Sequence, residues 1–530
     1  MIPTRFSRRV TALLAMAIVV LVLTPAAPAL AADYVPISGA GSSWSANAID
    51  QWRRNVQQYG MRVNYASTGS SDGRNQFKAG TVDFASSEIP YGLTDGGVVD
   101  SPPSRGFAYM PLVAGGTAFM YNLQAGGKQI TNLRLSGAVI TKIFTGGITS
   151  WDDATIKADN PGIALPKRAI VPVVRSDGSG STAQFTTWMS KQHASTWNSY
   201  CAKAGRPTPC GVTSNFPVVA GLGFIAQPNS QGVSGYVAQK ANIGTITYVE
   251  YSYALKTGYP VAKVLNKAGY YVEPTASNVA VGLLGAKINN DAASSSYLTQ
   301  ILDGVFNNSD ARAYPLSSYS YLIVPTKVQN NFTAEKGATL GGFANYFLCE
   351  GQQQAEVLGY SPLPMNLVQA GLEQVRRIPG VEATTVDIKK CNNPTFSKDG
   401  SNTLAKKAPQ PAACDKQGAT QCTVGTGGAT AETASSNGSG AGTDGTTTTG
   451  NGTEAAGLVT TGATVGGGPV SCEADTGVCT NVVALPVEVE GASSWGIQQT
   501  LMLAAVLFFL GLVVIPPLIG TSMNRRKRQQ

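Results

Sequence analysis

Arg175-Ser-Asp-Gly-Ser-Gly-Ser181 places one guanidinium, one carboxylate, three hydroxyls and two glycines within seven residues. That set suits a small oxyanion. The Arg175 fork can meet two oxygens of one anion, and Asp177 can hold the fork in place. Gly178 and Gly180 let the backbone turn tightly and approach a ligand closely. Ser179 and Ser181 add hydroxyl donors. The loop lies between a predicted strand, Ala169–Arg175, and a predicted helix, Thr182–Lys191. Free N–H groups at a helix start converge on one spot, where the helix dipole favours negative charge. A Walker loop is excluded, because the Gly-Lys-Ser/Thr ending is missing.

Two further segments share this design. Gly39-Ala-Gly-Ser-Ser-Trp44 and Thr68-Gly-Ser-Ser-Asp-Gly73 each lead into a predicted helix. Serine is a common helix cap, so one such segment means little. Three in one domain are less easily read as ordinary caps.

The elements that must hold these loops alternate along residues 34–394. Trp52, Val56 and Tyr59 recur at helical spacing after Ser42-Ser-Trp-Ser45. Arg62–Ala66 reads as a strand, Gly73–Ala79 as a short helix and Val82–Ala85 as a strand. Ser136 caps a helix over Ala138–Phe144, and Gly244–Tyr251 reads as a strand. Phe185, Trp188 and Met189 form the inward face of the helix after Arg175–Ser181. The alternation predicts an α/β fold with sheets covered by helices.

At this level of detail the chain resembles the periplasmic-type phosphate-binding proteins that feed ABC phosphate importers. Besides the three donor loops, the matching pieces are Val63-Asn-Tyr65, Gly80-Thr-Val-Asp-Phe84, Ile148-Thr-Ser-Trp-Asp152, Tyr248-Val-Glu-Tyr251 and Leu358-Gly-Tyr-Ser-Pro-Leu-Pro364. The resemblance implies a two-lobed clamshell over about 33–395. One lobe would span about 33–118 and 320–395, the other about 119–319, with crossover strands near 117–123 and 318–325. Phosphate would lie in the cleft between lobes. Its implied ligands are Ser43, Trp44 (through the backbone N–H), Ser70, Glu88, Arg175, Ser179, Gly180 and Ser181, with Asp177 orienting Arg175. No cofactor is implied, and the implied partner is an ABC phosphate permease.

Glu88 departs from the family pattern, which has Asp at that place. A carboxylate only accepts, so it welcomes protonated phosphate and penalises sulfate, which offers no donor. The extra methylene moves the acceptor. Trp44 stands for a usual Phe and Ser181 for a usual Thr.

The remainder of the chain concerns export and attachment. The Arg5, Arg8 and Arg9 head, the apolar run Val10–Leu23 and Ala29-Leu30-Ala31 form a signal peptide over 1–31. From 396 to 497 Gly, Thr, Ser and Ala dominate, as in a disordered tether. Leu501–Gly520 is long and apolar enough for one transmembrane helix. Arg525-Arg-Lys-Arg528, within the tail 521–530, would hold its end in the cytoplasm. The formal net charge is +8, and seven of the basic residues sit in these two termini. The charge is therefore a topology signal and supports no nucleic-acid surface. Eight cysteines in an exported chain suggest disulfides. Sequential pairing is simplest, including Cys414 with Cys422 and Cys472 with Cys479, although other connectivities remain open. One histidine and no Cys-x-x-Cys leave no zinc pattern.

Two other function classes compete with a binding protein. One is a surface enzyme acting on phosphate esters through Ser179; the sole histidine, His193, has no partner nearby in sequence. Asp152 and Asp153 read as helix caps. The other is a surface interaction protein with a repurposed pocket.

Overall fold

The computed structural model describes residues 34–429, apart from 96, 295, 383–387, 389, 390, 392 and 398, and the backbone of 471, 472, 479 and 480. Two units divide the chain, residues 1–440 and 441–530. In the second, the described backbone is an antiparallel pair with Cys472 opposite Cys479. The expected signal peptide, 1–31, and the expected span, 501–520, lie outside the described residues. Among the described residues, no helix is long and apolar enough to cross a membrane.

In the first unit, the elements that position the cleft run as follows. They are β1 (Ile37–Gly41), α1 (Ala46–Asn55), β2 (Val63–Ala66), α2 (Ser70–Ala79), β3 (Phe84–Ser87) and β4 (Phe107–Asn122). Next come β5 (Val171–Arg175), α3 (Gly180–Gln192), α4 (Ala194–Lys203), β6 (Ile225–Gln227) and α5 (Asn229–Val237). Then follow β7 (Thr245–Glu250), β8 (Val261–Leu265), β9 (Ser317–Pro325) and α6 (Ala334–Leu348). The strands form one continuous path, β6-β5-β7-β4-β9-β3-β1-β2.

That path is two sheets sharing one long strand. β4 pairs with β9 up to Gly116, then takes β7 as its partner from Thr117. The first lobe is the sheet β4-β9-β3-β1-β2, and the second is β6-β5-β7-β4 with β8. The lobes therefore meet where β4 changes partner, at the near edge of the expected 117–123 crossing. β9 covers the other expected crossing, 318–325, and pairs there with β3 and β4 of the first lobe's sheet. β4 is buried along nearly its whole length, as a strand shared by two covered sheets must be.

Each lobe has its own aromatic packing. In the first, Trp52 of α1 stacks on Phe347 of α6 with ring centroids 5.5 Å apart. In the second, Phe185 of α3 lies 5.0 Å from Tyr248 of β7 and 5.1 Å from Phe144, centroid to centroid. Phe185, Trp188 and Met189 are all buried, as the helical spacing predicts. Burying each such side chain stabilises by roughly 1.5–3 kcal/mol.

Some boundaries move. α2 begins at Ser70, three residues before the expected start. Gly69 ends the preceding turn at φ +102°, and a Cβ there would lie 2.5 Å from Asp177 Oδ2. The position therefore requires glycine for both backbone and space. β3 is shifted two residues onward from Val82–Ala85.

The packed chain also continues past the expected start of the tether at 396. Thr395 Oγ1 and Asn393 Nδ2 donate to the Leu363 carbonyl. Ala405 and Ala408 pack with Ala280, Val281 and Ala313. Asp415 pairs with Lys263 at 2.8 Å. Arg134 donates to the carbonyls of Cys414 and Thr420 while its guanidinium lies 4.4 Å from the centroid of Tyr271. Gly427 N–H donates to Glu273 Oε1 at 2.6 Å. Composition misreads this stretch because it has little apolar surface of its own. Its carbonyls instead satisfy buried donors on the second lobe, and a local disulfide, Cys414–Cys422, holds its shape. Cys201–Cys210 and Cys349–Cys391 are also formed, in sequential order.

Candidate anion-binding cleft

Four strand-to-helix turns meet between the lobes. β1 leads to α1 and β2 to α2 in the first lobe. β5 leads to α3 and β6 to α5 in the second. Within each lobe the two strands are parallel, or run parallel to a shared neighbour, so both turns leave at carboxyl ends. Carboxyl ends of parallel strands are where such sheets hold ligands, because following helices aim their N–H groups there.

The Arg175–Ser181 turn keeps its expected internal order. Arg175 is buried. Its Nε donates to Asp177 Oδ1 at 2.8 Å, and its Nη2 donates to Asp177 Oδ2. Asn229 N–H also donates to Asp177, at 2.9 Å. The fork is thus fixed along one edge, and Nη1 faces Ser230 Oγ at 3.4 Å. Ser179 is the N-cap of α3 and accepts from Thr182 N–H at 3.2 Å. Ser181 Oγ is buried without a hydrogen-bond partner.

Glu88 is the centre of the first lobe's contribution. Ser42 Oγ donates to Glu88 Oε1 at 2.6 Å, and Ser320 Oγ donates to the same oxygen at 2.8 Å. Ser70 Oγ donates to Oε2 at 2.8 Å. Two of these hydroxyls in turn accept backbone donors. Trp44 N–H donates to Ser42 Oγ at 3.0 Å, and Gly180 N–H donates to Ser70 Oγ at 3.1 Å. The carboxylate is thus the end point of two relays that start at helix N-termini, one from each lobe. A Cβ at Gly180 would lie 1.8 Å from Glu88 Oε2, so only glycine admits the carboxylate here.

Burial pushes the Glu88 carboxyl above the ordinary carboxylate range. The three hydroxyl donors and the charge of Arg175 oppose that rise.

The expected residues do not all face one point. Arg175, Ser70, Glu88, Gly180 and the Ser179–Ser181 turn come together. Ser43 is bound across the cleft to Ser230: the hydroxyls are 2.9 Å apart, and Ser230 N–H donates to Ser43 Oγ at 2.9 Å. The Trp44 N–H and Gly180 N–H, read as direct anion donors, are occupied by serine hydroxyls. Sequence reasoning missed Ser42, Ser230 and Ser320. Ser42 sits inside a motif already singled out. Ser230 follows a strand and opens a helix, which is a usable signal. Ser320 carries none, because it reaches Glu88, 232 positions away, through the antiparallel pairing of β9 with β3, which sets Tyr321 opposite Ser87.

Other candidates lie elsewhere. His193 ends α3, a helix of 13 residues, which separates it from Ser179 by about 20 Å. Its ring packs on Trp188 at 4.8 Å, and burial lowers its pKa. Asp153 caps a short helix by accepting from Thr155 N–H at 2.8 Å. Among the described residues, no cluster of His, Cys, Asp and Glu could hold a metal.

The chain is similar to known proteins over most of its first unit. A PBP superfamily domain matches residues 24–350, more than half the chain. The chain is 33% identical over 336 residues to the phosphate-binding protein PstS of Xylella fastidiosa Temecula1, covering 63% of this chain and 83% of that protein. It is 30% identical over 353 residues to PstS of Methanocaldococcus jannaschii, covering 64% and 85% respectively. Among solved structures it is similar to a phosphate-binding protein from Stenotrophomonas maltophilia, with 20% identity, a TM-score of 0.49, and 69% of this chain and 99% of that one covered. On the strength of the domain match and the two PstS relatives, the chain belongs to the PBP superfamily and, within it, to the PstS phosphate-binding proteins.

Proposed function

We propose that this chain is an extracytoplasmic receptor that captures inorganic phosphate between its lobes and passes it to an ABC importer. It acts by binding and release, without turnover. The observation that carries this reading is the convergence of Arg175, the α3 N-terminus and the Ser70–Glu88 pair from opposite lobes. Arg175, Ser179, Gly180 and Ser181 supply positive potential and donors. Glu88 supplies the acceptor that a protonated phosphate oxygen can meet and a sulfate oxygen cannot. Ser43, Ser70 and Trp44 complete the first lobe's side once the anion takes the places that Ser230, Glu88 and Ser42 hold in their hydrogen bonds.

The attachment reading belongs to the same proposal. After removal of 1–31, the chain stays on the outer face through Leu501–Gly520, with 521–530 inside. About 70 Gly- and Thr-rich residues between the packed part and that span would give a root-mean-square reach of roughly 45 Å. That length keeps the receptor near a permease in the same membrane.

Titration calorimetry on residues 33–429 tests the binding reading. Phosphate is expected to bind, with sulfate far weaker. No phosphate binding, or equal binding of the two, would overturn it. Fractionation of cells carrying the full chain, with and without 501–530, tests attachment: loss of that segment should release the receptor from the membrane.

A further inference from the structure

Outside the anion cradle, one carboxylate joins the lobes on its own. Asp95 belongs to the first lobe, in the connection between β3 and β4. It lies on two short antiparallel strands, Thr94–Asp95 and Val98–Val99. Among the described residues, every hydrogen-bond donor to its side chain comes from the second lobe. Arg206 Nη1 donates to Oδ1 at 2.9 Å and Thr213 Oγ1 to the same oxygen at 2.5 Å. Ser214 donates to Oδ2 through its backbone N–H at 2.8 Å and its hydroxyl at 2.9 Å. Asn215 Nδ2 reaches Oδ2 at 3.4 Å.

The segment that grips Asp95 also braces the anion loop. Ser179 N–H donates to the Ser214 carbonyl at 2.9 Å. Thr213 is tied to α3 through Thr186: its N–H donates to Thr186 Oγ1 at 3.0 Å, and Thr186 Oγ1 donates to its carbonyl at 3.0 Å. Cys201–Cys210 closes the chain just before this segment. One unbroken series of contacts thus runs from Asp95 through Ser214 to Ser179, the N-cap of the helix that faces the anion.

We propose that Asp95 is a closure latch: its carboxylate holds the two lobes together and, through Ser214, keeps Ser179 in the anion-binding position. The latch rests on the phosphate reading above but has its own observable. Asp95 and Arg206 each keep about a quarter of their side-chain surface exposed, 23% in both cases. Separating them therefore strands neither charge in a dry interior, and an open form is accessible. A contact made only in the closed form shifts the open–closed equilibrium toward closed, and apparent affinity follows the closed fraction. Asp95 is a positioning residue in this scheme, with its effect on release.

Stopped-flow measurement of inorganic phosphate binding to the full chain in detergent tests the latch, with Asp95→Asn and Arg206→Met as separate variants. Coupling of this kind spans about 5- to 150-fold. The expected result for Asp95→Asn is a faster release rate and a weaker Kd by on the order of ten-fold or more, with the association rate nearly unchanged. Arg206→Met should move the same quantities in the same direction, and the double variant should fall short of the product of the two. Arg206→Lys should restore part of the effect. Unliganded melting temperatures should stay close to wild type, which a merely structural role would not allow. Wild-type release rates in both single variants would overturn the latch. Phosphate binding absent from the wild type would instead overturn the phosphate reading. In that case small-angle scattering of the unliganded chains decides the latch: a larger radius of gyration in Asp95→Asn supports it, and an unchanged one overturns it.

Discussion

Ser320 donates to Glu88 Oε1 at 2.8 Å from the one point where β9 is out of step with β4. The antiparallel pairing of β9 with β3, with Tyr321 opposite Ser87, is what brings this residue to the carboxylate of the anion cradle. Ser320→Ala would leave that oxygen with Ser42 as its remaining hydroxyl partner. Losing a donor to a buried charged group costs about 1–3 kcal/mol, which urea unfolding at neutral pH would read. The same loss favours the protonated form, so the pH at which Glu88 titrates should rise.

Glu88→Gln separates charge from shape. Burial raises the folded-state pKa of Glu88 above its unfolded value. Between those two values the unfolded chain has lost the proton and the folded chain still holds it. Wild-type stability therefore falls as pH rises through that window and levels off above it. The glutamine variant lacks this slope, so its stability relative to wild type should improve with rising pH across the window. Its cleft should also discriminate less between phosphate and sulfate, because the acceptor-only charge is gone. Thermal melts across pH and paired calorimetric titrations check both.

Arg175→Lys should weaken phosphate binding by ten-fold or more, a loss of about 1.4 kcal/mol per factor of ten. An ammonium cannot span both oxygens of Asp177 while presenting a second edge to the cleft. Calorimetry on the variant measures the loss, and near-native affinity would show that the fork geometry is dispensable.

The packed strap after Thr395 makes a prediction about domain limits. Limited proteolysis should yield a stable fragment ending near residue 429, and a chain stopped at 395 should melt lower. Truncation there removes the carbonyls that receive Arg134 and the carboxylate paired with Lys263. The Cys414–Cys422 loop is short, and closing it stabilises by about 2–3 kcal/mol on chain-entropy grounds. Replacing both cysteines by serine should lower the melting temperature, as differential scanning calorimetry would show.

Local patterns carried much of the site. Arg175, Asp177 and Ser179 act within one turn, and their spacing alone brings guanidinium, carboxylate and helix cap together. The Phe185, Trp188 and Met189 face follows from helical periodicity, and two of the sequential disulfides, Cys201–Cys210 and Cys414–Cys422, follow from short separations. Contacts made across hundreds of residues were not legible. Ser230 meets Ser43 from 187 positions away, and Ser320 meets Glu88 from 232. The strap from 396 to 429 reads as tether because its binding energy lies in partners on another part of the chain.

The amino-acid sequence by itself determined an α/β protein with three serine-rich helix starts and an arginine loop able to hold an oxyanion. Those features depend on neighbours within a few residues, where propensity, capping and periodicity act. Tertiary structure decided which donors remain for a ligand, because hydroxyls and backbone N–H groups satisfy one another as soon as the lobes meet. It also decided that Glu88 sits at the end of two relays, that Asp95 is gripped by Arg206, Thr213 and Ser214 of the opposite lobe, and that the chain packs on as far as residue 429. Each of those outcomes needs a buried group to find its partner across the fold, and the cost of leaving it unpaired is what selects the arrangement.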